Sequence, residues 1–203
     1  MQNFTLKNLM QINKKKTVVM PFNFSNNYDF IPRLNFPGDD QQLSVTYETK
    51  LLGVTIRSDL SFSSHVANIV KSAKKCMWPL LRFRDMGATT NQLLNLWIQK
   101  GRTVLEFASP VFFSRLTEEQ SNQIEKCQKM AFAIILQNGF KNYADALTIL
   151  KQRSLSERRL DAAIKFGEKC LANPRHSDLF IKNTSMREEL RRKNWKPIKE
   201  YFC

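Results

Sequence analysis

Residues 50–81 read KLLGVTIRSDLSFSSHVANIVKSAKKCMWPLL, and the hydrophobic period changes within them. Lys50 to Ile56, KLLGVTI, is short, apolar and β-branched, which predicts a strand. From Ser61 onward Val66, Ile69, Val70, Ala73, Met77, Leu80 and Leu81 recur at helical spacing, while Lys71, Lys74, Lys75, Arg82 and Arg84 take the rest of the surface. An amphipathic helix with a basic outer side follows from that pattern. Pro79 falls inside it and is expected to kink or split the helix near Met77-Trp78.

Working downstream, the same period continues. A second helix is expected from Thr89 or Thr90 to about Phe107. A third starts at the capping-box-like Thr117-Glu118-Glu119-Gln120 and runs to about Gln137, with Ile124, Cys127, Ala131 and Ile134 on one face. A short helix is expected at 143–150. Another opens at Ser154-x-x-Glu157, carries Leu155, Leu160, Ile164 and Leu171 inward, and ends at Asn173-Pro174. Met186 to Lys199 reads as a charged, frayed helix.

Upstream, strands are expected at 17–24, TVVMPFNF, and at Leu43 to Tyr47. Between them Pro37-Gly38-Asp39-Asp40 spells GDD, the letters of some polymerase metal sites. Two-metal nucleotidyl transfer needs carboxylates converging from separate segments, and Pro-Gly followed by Gln41-Gln42 reads as a surface turn. The expected fold class is therefore α+β, mostly α: a few short strands in residues 1–60, a helical bundle in 61–181 and a basic tail in 182–203.

Charge narrows the partners. The 32 Lys and Arg outnumber the 18 Asp and Glu, for a net +14. Residues 1–60 hold seven of those cations and five of the acids, a net of +2, so +12 lies beyond residue 60. Such an excess favours a polyanion, with nucleic acid ahead of a membrane surface. Cysteines at 76, 127, 170 and 203 form no C-x-x-C or C-x-x-H pair, so they read as reduced intracellular thiols and no zinc site is expected. No apolar run approaches the roughly 20 residues of a membrane span and no signal peptide is legible, so a cytoplasmic or nuclear location, not secretion, is expected.

Several stretches, taken in order, resemble the C-terminal part of reverse transcriptases from non-LTR retrotransposons of the LINE and jockey-like kind. INKKKTVVMPF, with Asn13, Lys16, Thr17, Met20 and Phe22, is similar to the strand that follows the family's catalytic hairpin. KLLGVTIRSDLSFSSHV matches the primer grip and thumb start at Leu52, Gly53, Val54, Leu60, Phe62 and His65. VLEFASPVF and IEKCQKMAFAIIL resemble two thumb signatures. The resemblance covers most of residues 9–180. It implies a partial palm with a helical thumb, whose task in the whole RNA-directed DNA polymerase is to hold the primer-template duplex.

In that family the fingers and the magnesium-binding carboxylates lie upstream of the Asn-Lys-Thr strand. The resemblance thus implies no catalysis and no cofactor for this chain alone, magnesium for the full-length enzyme, and the fingers and palm portion as missing partners. The alternative is a non-catalytic, retrotransposon-derived helical module that binds nucleic acid or a protein.

Individual residues carry two readings each. Lys16 stands where the family places a lysine near the departing pyrophosphate, or is a solvated turn lysine. Leu52-Gly53-Val54 are primer-grip-like, or a tight sheet edge. His65 contacts phosphate or occupies a first helical turn. Lys71, Lys74, Lys75, Arg82 and Arg84 track a phosphate backbone, or form a solvated face. Trp78, Trp97, Phe112 and Phe113 read as packing residues rather than base-stacking platforms, and Glu106-Phe107-Ala108-Ser109-Pro110 as a helix end packed on the core.

Overall fold

The computed structural model describes residues 42–177 continuously, together with 7–8, 13, 16–22 and 34–35. The fold is α+β and mostly α. Contacts divide the chain into two compact units, Met1–His65 and Val66–Cys203.

In the first unit, β1 (Val18–Val19) pairs parallel with β2 (Ser44–Val45), Val18 opposite Ser44 and Val19 opposite Val45. Both are shorter than the expected strands at 17–24 and 43–47. Pro21 cannot donate to a ladder beyond β1. After β2, Thr46 Oγ1 donates to the Glu48 carbonyl at 2.7 Å and accepts from the Glu48 N–H at 3.3 Å, which bends the chain. Asp39 and Asp40 lie outside the described residues.

KLLGVTI is not one strand. It is the turn of an antiparallel hairpin, β3 (Glu48–Leu51) and β4 (Val54–Arg57), with Leu51 opposite Val54. Leu52 and Gly53 have φ of 47° and 91°, the left-handed pair of a type I′ loop, whose twist matches that of the strands it joins. Glycine takes this conformation freely. Leucine does not, at a cost on the order of 1 kcal/mol, which is why Leu-Gly between apolar residues reads as strand.

After β4, Asp59 accepts both Nε and Nη2 of Arg57 at 3.2 and 3.1 Å and the Ser61 N–H at 2.9 Å, closing the turn into α1 (Ser63–Lys74). That guanidinium and backbone donor hold the Asp59 carboxyl below the usual range. The helix divides where Pro79 requires it. α1 stops at Lys74 and α2 (Met77–Asp85) begins two residues before the proline, which occupies the first turn and needs no N–H there.

α2 ends in a Schellman motif: Gly87, at φ +85°, donates to the Arg84 carbonyl and Ala88 to that of Phe83. Thr89 then caps α3 (Thr90–Leu96) in a reciprocal box with Gln92.

α3 runs through a π-helical segment (Trp97–Arg102) into α4 (Thr103–Glu106), so the expected single helix exists with a wide turn in its middle. The sequence dictates that turn. Leu93, Trp97, Gly101 and Leu105 are all buried, and each is four residues after the last. At 3.6 residues per turn a step of four overshoots by about 40°, so three steps would swing Leu105 about 120° from Leu93. A segment bonded i to i+5 turns less per residue and absorbs the drift. The Trp97 ring then lies against the backbone of Gly101, so close that a Cβ there would sit 2.1 Å from ring carbon Cζ3.

α5 (Ser109–Phe112) follows the left-handed Ala108, φ 53°. α6 (Glu118–Leu136) opens with the expected Thr117/Gln120 capping box and is the central helix: α2, α3, α7 (Tyr143–Ile149) and α8 (Leu155–Ala172) all pack on it. Its buried face comprises Ile124, Cys127, Gln128, Ala131, Phe132 and Ile135, whereas Ile134 is half-buried. α8 starts at the expected Ser154/Glu157 box and stops before Asn173, leading to α9 (Pro174–Ser177).

The α8 row turned inward is Leu155, Arg159, Ala163 and Gly167, not Leu160, Ile164 and Leu171, which are half-buried. An arginine at the centre of the row hides it from a reading based on hydrophobic period. The expected helix at Met186–Lys199 lies outside the described residues.

Candidate nucleic-acid interface

The basic residues flagged on α1 and α2 separate into three environments. Lys71 and Lys74, on the last turn of α1, and Lys75 just after it are exposed, with no carboxylate partner among the described residues. Lys100, from the π segment, is also exposed and lies close enough to bear electrostatically on the Cys76 thiol between α1 and α2. Lys74 acts in the same way on Cys127 of α6. For both thiols burial dominates and pushes the pKa up. Lys100 is a member that sequence spacing did not reveal, because it arrives from another helix.

Arg82 is exposed, and its guanidinium lies over the Trp78 ring, 5.3 Å from the centroid. Arg84 differs: it donates to Asp85 Oδ1 through Nη2 at 2.7 Å and Nε at 3.0 Å. Its charge is therefore satisfied locally, and it is set apart from the lysines as a phosphate contact. Trp78 corrects the packing expectation. It is 66% exposed, since Pro79 starts a helix whose buried side is Met77 and Leu80 and whose outward line is Trp78, Arg82 and Met86. Trp97 and Phe112 are fully buried, and Phe113 half-buried, as packing residues.

In the other unit Lys16 is exposed. Its N–H donates to the Asn13 carbonyl at 3.1 Å in the turn before β1. Leu52, 88% exposed, and Gly53 form the hairpin tip, and Val54 is buried at the start of β4. His65 is not a phosphate contact: it is buried, and its Nδ1 accepts the Thr55 N–H at 3.3 Å. Burial, with Lys50 nearby, lowers its pKa.

Carboxylates hold the helical unit together. Glu106 accepts the Nε and Nη2 of Arg158 and pairs with Arg102, so the Glu106 end of the VLEFASPVF stretch is locked to α8. Phe107 beside it is exposed rather than packed on the core, because Ala108 turns the chain there. Glu125 accepts the Tyr143 hydroxyl and the N–H groups of Leu155 and Ser156 at 3.0 and 3.2 Å. One carboxylate thereby joins α6 and α7 to the N-terminus of α8, where the helix dipole favours negative charge. Burial first, and that carboxylate second, push the Tyr143 pKa up.

Gln128 Nε2 donates to the Tyr143 hydroxyl at 2.9 Å and to the Arg153 carbonyl at 3.0 Å. Arg159, 1% exposed, donates Nη2 to Ser121 Oγ at 2.9 Å. Its Nε and Nη1 have no hydrogen-bond partner among the described residues, and burial lowers its pKa.

Among the described residues no group of three or more His, Cys, Asp or Glu that could hold a metal ion comes together. No described helix is long and apolar enough to cross a membrane. Comparison with protein-family models, curated proteins and solved structures found no match.

Proposed function

We propose that this chain is part of a non-LTR retrotransposon reverse transcriptase, the part that holds the primer-template duplex, and that the isolated chain is not itself a polymerase. The order of the Asn-Lys-Thr, Leu-Gly-Val and two thumb-like stretches supports the family reading. One observation carries the binding role. Lys71, Lys74 and Lys75 cluster at the end of α1, and Lys100 bears on the Cys76 thiol that follows them; all four stand exposed and, like the other described lysines, have no carboxylate partner among the described residues, whereas Arg57, Arg84, Arg102, Arg153 and Arg158 are engaged by carboxylates. Exposed lysines without a carboxylate partner gain by releasing counterions from a phosphate backbone, which gives affinity without base readout.

The experiment is fluorescence anisotropy of the full chain on a labelled 20-base-pair duplex at several salt concentrations. Log K should fall by about 0.9 per phosphate neutralised. Changing Lys71, Lys74 and Lys75 together to glutamine should keep the helicity, because glutamine is nearly as good a helix former, and should flatten the slope by roughly two to three units. Unchanged slope and affinity would assign these lysines to solvation.

A second reading, a retrotransposon-derived module that binds a protein partner, draws on different residues. Phe107, Val111 and Phe166 are exposed around α5 and α8, which pack together. The fingers and palm portion of a parent polymerase is one such partner.

A further inference from the structure

The outward line of α2 is Trp78, Arg82 and Met86, spaced i, i+4, i+8, with Phe83 also exposed beside it. A tryptophan 66% exposed, three residues from Lys75, is not accounted for by packing, since α2 already buries Met77 and Leu80. Arg82 over the indole leaves most of the ring in water while placing a cation against its π-system. Phosphate-binding duplex contacts need no such ring. A base with its face open does, because stacking on an aromatic side chain is sequence-tolerant and adds to backbone contacts.

We propose that Trp78, backed by Arg82, is a stacking platform for an unpaired base, and that the phosphates flanking that base run along Lys71, Lys74, Lys75 and Lys100. The ligand class is a single-stranded segment of DNA or RNA. This rests on the nucleic-acid reading above and adds to it a preference that a duplex grip lacks. Charge complementarity selects this occupant: the lysines have no carboxylate partner among the described residues, and the apolar line is broken by Arg82 at its centre, which a membrane-inserting face would keep apolar.

The test uses the full chain, with a labelled dT12 strand, an abasic 12-mer of the same phosphate count, a 12-base-pair duplex, and vesicles of phosphatidylserine and phosphatidylcholine at 1:1. Wild type should bind dT12 at least about 5-fold more tightly than the abasic strand, the lower end of one stacked base. Trp78→Ala should abolish that difference while leaving the salt slope and the duplex affinity unchanged, and Trp78→Phe should keep most of it.

Because the ring is exposed, circular dichroism should report the same helicity for all three proteins. Equal affinity for dT12 and the abasic strand in the wild type would overturn the platform. So would a Trp78→Ala loss that appears equally on the duplex, or Trp78-dependent binding to vesicles alone. The duplex reading fails separately, through an unchanged salt slope in the triple lysine variant.

Discussion

Gly101→Ala adds one methyl group at the tightest point of the helical unit. The new Cβ would lie 2.1 and 2.2 Å from Trp97 Cζ3 and Cε3 and 3.0 Å from Cη2, distances that no side-chain tilt of a few tenths of an ångström relieves. Trp97 is fully buried, so its ring cannot swing into water without unpacking Leu93 and Leu105, the neighbours along the same buried line. Relief therefore means giving up the indole's packing, for which loss of a buried tryptophan costs about 3–5 kcal/mol. Against this, alanine is a better helix former than glycine by about 1 kcal/mol. The net expectation is a loss of about 2–4 kcal/mol, read as a urea midpoint shift at constant m-value and a fall in Tm on the order of 10 °C. A Trp97→Leu background removes the ring atoms that clash. There the added methyl should cost less than about 1 kcal/mol, so the two substitutions couple strongly. Gly101→Ala equal to or more stable than wild type, or an equal loss in both backgrounds, would refute the packing argument.

The first unit should weaken as acidity rises, because burial and Lys50 lower the His65 pKa and the unfolded chain takes up the proton first. Stability from this source is complete above the ordinary histidine value of about 6.5 and is lost as pH falls below it through the lower folded value. His65→Asn, whose Oδ1 can accept the Thr55 N–H without titrating, should flatten that decline between pH 7 and 5 in hydrogen exchange of the β3–β4 amides, and an unaltered pH profile would count against it. In the other unit Glu125→Ala leaves the Tyr143 O–H and two helix N–H groups without their acceptor, whereas Tyr143→Phe leaves the carboxylate its backbone partners and Gln128 its bond to the Arg153 carbonyl. Urea unfolding should show about 2–4 kcal/mol for the first and about 1–2 kcal/mol for the second; the reverse order would contradict the geometry.

Capped helices with regular spacing were legible from sequence. Thr117/Gln120 and Ser154/Glu157 set helix starts, and Asn173-Pro174 set an end, because each is a local signal acting on its own neighbours. What was illegible depended on other segments or on local conformations that the residue type conceals. Leu52 in a left-handed turn looks like strand, and Arg159 in a buried row looks like surface until Ser121 comes from α6 to meet it. The four-residue repeat of the π segment imitates an ordinary helix until its drift is worked out. At the candidate interface the lysines were foreseen as a line on one helix. Lys100 and the exposure of Trp78 were not, since both follow from how α2 and the π segment are placed around the Cys76 turn.

Glu125 changes what the start of α8 can report. The first amides of a helix have no partner within it and normally exchange with solvent at rates set by their own turn. Here Leu155 and Ser156 donate to a carboxylate on α6, so their protons leave only when two helices separate. These two amides are thus clocks for the docking of α8 onto the central helix. Their exchange keeps time with the contact of α8 on α6 rather than with the later turns of α8, and distinguishes fraying of one helix from parting of two.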